Sequence, residues 1–107
     1  MNDSWHEVAQ VGNIEQDDVI QVEVENQVLA IYNLDGEFFA TEGICTHEFT
    51  CLAEGWVFDG IIECPLHQGR FDIKTGEAKS APVSVDLNTF PVKVEGKAIF
   101  VQVGNRT

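Results

Sequence analysis

The chain has 107 residues, 44% of them hydrophobic, with 18 Asp and Glu against 6 Lys and Arg and a formal net charge of −12. That length suits one compact domain, large enough to bury a core without disulfide staples and too short for two ordinary domains. The acidity excludes nucleic acid and anionic membranes as partners, because either would be repelled, and no apolar run approaches the ~20 residues that cross a bilayer.

The opening residues, Met1 to Trp5, carry neither a basic start nor an apolar stretch, so the expectation is a soluble, cytoplasmic protein. Apolar residues at Ile20, Val22 and Val24 alternate with Gln21, Glu23 and Glu25, the two-residue period of a strand with one wet face. Val28 to Tyr32 is apolar throughout and predicts a more deeply buried strand, with Glu25-Asn26-Gln27 as the turn before it. Asp35-Gly36 supplies the next tight turn, into Glu37 to Thr41, and completes a three-stranded meander.

From Glu42 to Gly76 the pattern changes. Short apolar pieces, Trp56-Val57-Phe58, Ile61-Ile62 and Phe71-Asp72-Ile73, are interrupted by Asp59-Gly60 and by Cys and His groups, as in a small inserted subdomain. Phe90, Val92 and Val94 then alternate with polar or turn residues, and Ile99, Val101 and Val103 follow Gly96, predicting a terminal hairpin. Pro91 cannot donate to a ladder, so it predicts an edge or a bulge there. No long helix, repeat or linker is expected.

Charge is laid out unevenly. No Lys or Arg precedes Arg70, whereas fourteen of the eighteen acids precede Cys64. A partner with a basic docking patch would suit such a field, and solubility alone would also account for it.

The chemistry concentrates in Cys45-Thr46-His47, Cys64-Pro65-Leu66-His67 and the trailing Gly69-Arg70-Phe71-Asp72. Each of the first two groups offers one thiolate and one imidazole, with sixteen residues between His47 and Cys64. Crossing two such loops could divide two cysteines and two histidines between two metals. Zinc also accepts Cys2His2, but its usual ligand pairs are Cys-x2-4-Cys and His-x3-5-His, whereas mixed pairs on two loops suit an iron-sulfur centre.

Cys-x-His, the spacer, Cys-Pro-x-His-x-Gly-x-Phe-Asp and Thr75-Gly76 resemble the Rieske family, most closely the small Rieske-type ferredoxins of bacterial aromatic-ring-hydroxylating dioxygenase systems. The resemblance covers nearly the whole chain. It implies an all-β Rieske fold, an antiparallel β-sandwich over residues 1–107 with a cluster-binding subdomain at approximately 43–76 carrying two ligand loops. It also implies one 2Fe-2S cluster held by Cys45, His47, Cys64 and His67. The expected role is a one-electron carrier, a monomer and not itself an enzyme, taking electrons from an NADH-dependent flavin reductase to a terminal Rieske oxygenase. A small subunit like that of nitrite reductase is the alternative, and a zinc-binding module a further one.

Several residues gain expected roles from this resemblance. Two thiolates on a diferric core give a nearly neutral oxidised cluster, and imidazole in place of thiolate raises its potential. Respiratory-type Rieske proteins raise it further with a serine and a tyrosine beyond the second histidine, where this chain has Gly69 and Phe71. Losing both hydroxyl donors predicts the low end of the Rieske range, about −150 mV.

The respiratory type also ties its loops by a disulfide whose second cysteine lies between the ligands. This chain has Leu66 there, so Cys51 is expected to stay a thiol. Pro65 shapes the second loop, Gly69 permits close approach of the backbone to the cluster, Gly76 serves a turn, and Pro82 belongs to a loop beside the cluster. Glu48 stands where the family has Gly, and Phe49, Leu66 and Gln68 rim the histidines. Trp5 and His6 carry no metal role.

Overall fold

The computed structural model describes residues 5–45, 50–65, 68–81, 83 and 85–103. Among these residues eleven strands run in the order β1 (Trp5–Gln10), β2 (Asp18–Val24), β3 (Gln27–Leu34), β4 (Glu37–Glu42), β5 (Trp56–Phe58), β6 (Ile61–Glu63), β7 (Arg70–Asp72), β8 (Ala78–Ser80), β9 (Thr89–Phe90), β10 (Val92–Glu95) and β11 (Ala98–Gln102). Among the described residues the only helical pieces are two 3-10 turns, Val11–Asn13 and Leu52–Glu54. No helix among them is long and apolar enough to cross a membrane.

The strands form three antiparallel sheets, β1-β11-β10, β2-β3-β4-β9 and β5-β6-β7-β8. The expected meander is β2-β3-β4. Its turns are Glu25-Asn26 and Asp35-Gly36, both residues of each at positive φ, as in the two-residue turns whose twist matches that of the flanking strands. Asp59-Gly60 repeats the device between β5 and β6.

Strand β3 explains its own sequence. Leu29, Ala30, Ile31 and Tyr32 are each 0% exposed, because the strand is covered on both faces. Leu29 and Ile31 join Ile99, Val101 and Phe90 in a core against the β1-β11-β10 sheet. Ala30, Tyr32 and Leu34 join Ile62, Phe71, Ile73 and both Cys45 and Cys64 in a second core against the small sheet. An apolar run without alternation is the pattern of a strand buried on two sides.

The expected strand through Phe90, Val92 and Val94 divides at Pro91. Phe90 pairs with Ala40 of β4, whereas Val92 pairs with Val101 of β11. A residue with no N–H cannot continue a ladder, and here the chain changes sheets at it. The Pro91 carbonyl still accepts a bond from the Gln102 N–H at 3.1 Å. Trp5 and His6 open β1, where Lys93 lies 4.7 Å from the Trp5 ring centroid and His6 Nε2 lies 3.0 Å from a Glu25 carboxylate oxygen.

Candidate metal centre

Each of the two motif cysteines starts a loop closed by its own backbone. Cys45 N–H donates to the Thr50 carbonyl at 2.9 Å, and Cys64 N–H donates to the Gly69 carbonyl at 2.8 Å. Outside the first loop, Ile44 bridges Cys51 in antiparallel fashion and Leu52 N–H donates to the Gly43 carbonyl at 2.9 Å. Outside the second, Glu63 and Arg70 are the last paired residues of β6 and β7. Both motifs therefore sit on hairpin loops with fixed bases.

Cys45 is 2% exposed and Cys64 is 0% exposed, and both belong to the core that holds Leu52, Ile62, Phe71 and Val83. All three cysteines lie outside any disulfide, and Cys51 is half-buried at the outer edge of the first loop. Two thiols buried together at the bases of two loops fit a metal cluster held between those loops, since a thiolate is the form that ligates iron. His47, His67, Glu48, Phe49, Leu66 and Pro82 lie outside the described residues. Gln68 is exposed at a left-handed φ of 59° just before the closing Gly69.

Glycines fix how closely the neighbouring segments approach. A Cβ on Gly69 would stand 2.5 Å from Val83 Cγ1, so the close neighbour described at this position is Val83. Gly55 is tighter still: a Cβ there would lie 2.0 Å from the Glu63 carbonyl oxygen and 3.2 Å from Pro65 Cδ. Gly76, at φ +80°, turns the chain with Leu87 O 2.1 Å from where a Cβ would be. The turn expected at Gly76 is thus also a packing contact.

Two polar arrangements at this core were not read from the sequence. Glu63 is buried beside Cys64 and accepts a bond from Arg70 Nε at 3.1 Å, closing the base of the second loop with an ion pair. Their positions flanking the second motif were the available signal. Tyr32 Oη lies 2.8 Å from Thr41 Oγ1, and Thr41 Oγ1 donates its proton to the Glu42 carbonyl at 2.7 Å, so the phenol is the donor to Thr41. Burial pushes the Tyr32 phenol well above the usual tyrosine range.

Comparison with known proteins bears on this geometry directly. The model of the Rieske [2Fe-2S] domain matches residues 4–91. The ferredoxin component of the naphthalene 1,2-dioxygenase system of Pseudomonas aeruginosa is 41% identical over 103 residues, covering 96% of this chain and 99% of that one. A solved ferredoxin of Sphingomonas yanoikuyae B1 superposes with a TM-score of 0.89 at 36% identity, over 94% of this chain and 100% of that one. The solved complex of reduced oxygenase and oxidized ferredoxin in carbazole 1,9a-dioxygenase contains a chain of TM-score 0.88 and 34% identity, with 94% of each covered.

The chain therefore belongs to the Rieske [2Fe-2S] domain family. Within it, the chain is an electron carrier of the ferredoxin kind with one Rieske 2Fe-2S cluster, not itself an enzyme. Membership in that family favours the iron-sulfur alternative over the zinc module.

Proposed function

We propose that this chain carries single electrons from an NADH-dependent flavin reductase to the terminal Rieske oxygenase of an aromatic-ring-hydroxylating dioxygenase system. The observation that carries the reading is the burial of Cys45 and Cys64 in one core at the closed bases of two matched loops. Cys45 and Cys64 would supply thiolates to one iron, His47 and His67 imidazoles to the other. When bound, the cluster supplies a one-electron couple.

The remaining residues define the setting. One Rieske domain spans 1–107, with its cluster-binding part at about 43–76. Phe71 is a fully buried ring without a hydroxyl and Gly69 has no side chain, so neither offers an O–H to a cluster sulfur. That supports a midpoint near the low end of the family, about −150 mV. Such a carrier works as a cytoplasmic monomer, because it must leave one partner to reach the other.

A spectroelectrochemical titration of the purified protein at neutral pH tests the reading. One reversible one-electron transition near about −150 mV is the expected result. A strongly positive midpoint would overturn the hydroxyl argument. Absence of iron-sulfur absorption in anaerobically purified protein with its metal retained would overturn the ligand assignment.

A further inference from the structure

The small sheet has an inner face of Ile62 and Phe71, fully buried with Val57 and Ala78 packed against their core, and an outer face on which Trp56, Phe58 and Arg70 are exposed. Trp56, Glu63 and Arg70 lie opposite one another across β5, β6 and β7 on that outer face. This row is the last rung of the sheet before the loop 64–69 that carries the second ligand pair. Trp56 is 55% exposed, and Phe58, two residues on and hence on the same face, is 37% exposed. The Arg70 guanidinium carbon lies 5.2 Å from the Phe58 ring centroid while Arg70 Nε holds Glu63. Arg70 is thereby held to both Glu63 and Phe58, with its side chain still half exposed.

Exposed acids flank the aromatic pair, Glu54 before β5 and Asp59 after it, and Asp72 stands at the far end of β7. The edge strand thus presents two large rings between exposed acids that precede and follow it in sequence, and Trp56 pairs with Glu63, the residue before Cys64. Aromatic anchors of this kind carry much of the energy at protein interfaces, and opposite charge at the rim sets the encounter rate.

We infer that Trp56 and Phe58 form a docking contact for the terminal oxygenase, seated in an apolar recess of that protein with a basic rim. The inference rests on the carrier reading and extends it from the cluster loops to a named surface beside them. Docking here holds a partner against the base of the 64–69 loop. Trp56 contributes affinity, Glu54 and Asp59 contribute steering.

The test is stopped-flow reduction of the terminal oxygenase by the fully reduced, cluster-loaded chain at limiting concentration. A Trp56→Ser/Phe58→Thr variant is expected to lose about tenfold or more in rate, and Trp56→Phe to keep most of it. Val94→Thr, which removes a side chain 43% exposed on β10, is expected to change nothing. Raising the ionic strength should slow the wild type, and Glu54→Gln/Asp59→Asn should flatten that dependence.

Iron content, visible spectrum, midpoint and the rate with ferricyanide, which needs no docking, should be unchanged in the double variant. A parallel loss with ferricyanide would mean a damaged cluster loop and would overturn the inference. So would a loss confined to reduction by the flavin reductase, or one explained by a concentration-dependent dimer that the variant abolishes. If the wild type does not reduce the oxygenase, the carrier reading itself fails. If it does, and the aromatic variants match it, only the docking surface fails.

Discussion

Cys45 and Cys64 stand in the same relation to their loops: each gives its backbone N–H to the carbonyl five residues downstream, Thr50 at 2.9 Å and Gly69 at 2.8 Å. Two unrelated stretches of sequence are thereby folded into a matched pair. The cysteines also share one core, so replacing either should be felt at both loops. Cys45→Ser and Cys64→Ser are each expected to abolish the visible iron-sulfur bands and bound iron. Cys51→Ser, at a half-buried thiol outside that core, is expected to retain both. Iron analysis of the three proteins, expressed side by side, checks the ligand assignment.

The fit between Gly69 and Val83 makes a second prediction. Gly69→Ala places a methyl 2.5 Å from Val83 Cγ1, and a β-branched side chain has little freedom to move aside. Overpacking of this kind costs about 1–3 kcal/mol. Adding Val83→Ala should recover part of the lost melting temperature. Two singly destabilising changes that partly cancel in a thermal melt would establish the contact, and additive losses would refute it.

Glu63 and Arg70 close the second loop unequally, since the Glu63 side chain is 11% exposed and the Arg70 side chain 49%. Removing a partner from a buried pair costs about 3–5 kcal/mol, but solvent reaches Arg70, so Arg70→Leu is expected nearer ~1–2 kcal/mol. Glu63→Gln, which keeps an oxygen acceptor for Arg70, should cost less. Chemical denaturation of the cluster-loaded proteins, with the midpoint shift read at constant m, distinguishes the two.

Tyr32 is the one tyrosine in the chain, which makes its titration readable by phenolate absorbance. Burial holds the folded phenol neutral, with its pKa above the ordinary value of about 10. Folding is then favoured fully below about pH 10, and this contribution is lost as pH rises from there towards the folded value, with a slope of at most ~1.4 kcal/mol per unit. Tyr32→Phe should lack that alkaline loss while being about 0.5–1.5 kcal/mol less stable at neutral pH, from the missing bond to Thr41. Urea unfolding of both proteins from neutral to alkaline pH gives the comparison.

Glycine turns of different surroundings should also separate. Gly36 has open space around a Cβ and φ +91°, so Gly36→Ala should cost about 1 kcal/mol through backbone conformation alone. Gly76 combines φ +80° with the Leu87 carbonyl oxygen 2.1 Å from a Cβ. Gly76→Ala should therefore lower the melting temperature considerably more than Gly36→Ala.

Local chemistry was legible wherever one strand or one turn decided it. The alternation at Ile20, Val22 and Val24, the unbroken run from Val28 to Tyr32, and Asp35-Gly36 each announced their place, because side-chain period and backbone φ are properties of a few adjacent residues. The motif cysteines stood out by spacing, and the structure buries both in one core. Pro91 was recognised as a break in pairing, but that Phe90 and Val92 belong to different sheets depends on Ala40 and Val101, distant in sequence. The pairings of Glu63 with Arg70, Tyr32 with Thr41 and Gly69 with Val83 likewise exist only once strands are in register. Trp56 and Phe58 read only as parts of a short apolar piece, whereas the edge position of β5 leaves both rings outside.

Strand β3 has one more consequence. It is a party wall between two rooms, with the residues of one room and those of the other alternating along a single backbone. Neither room can be emptied while the wall stands, and moving the wall opens both. Heating should therefore bleach the iron-sulfur colour and melt the outer sandwich in one transition, so that the electron-carrying centre is as durable as the whole protein.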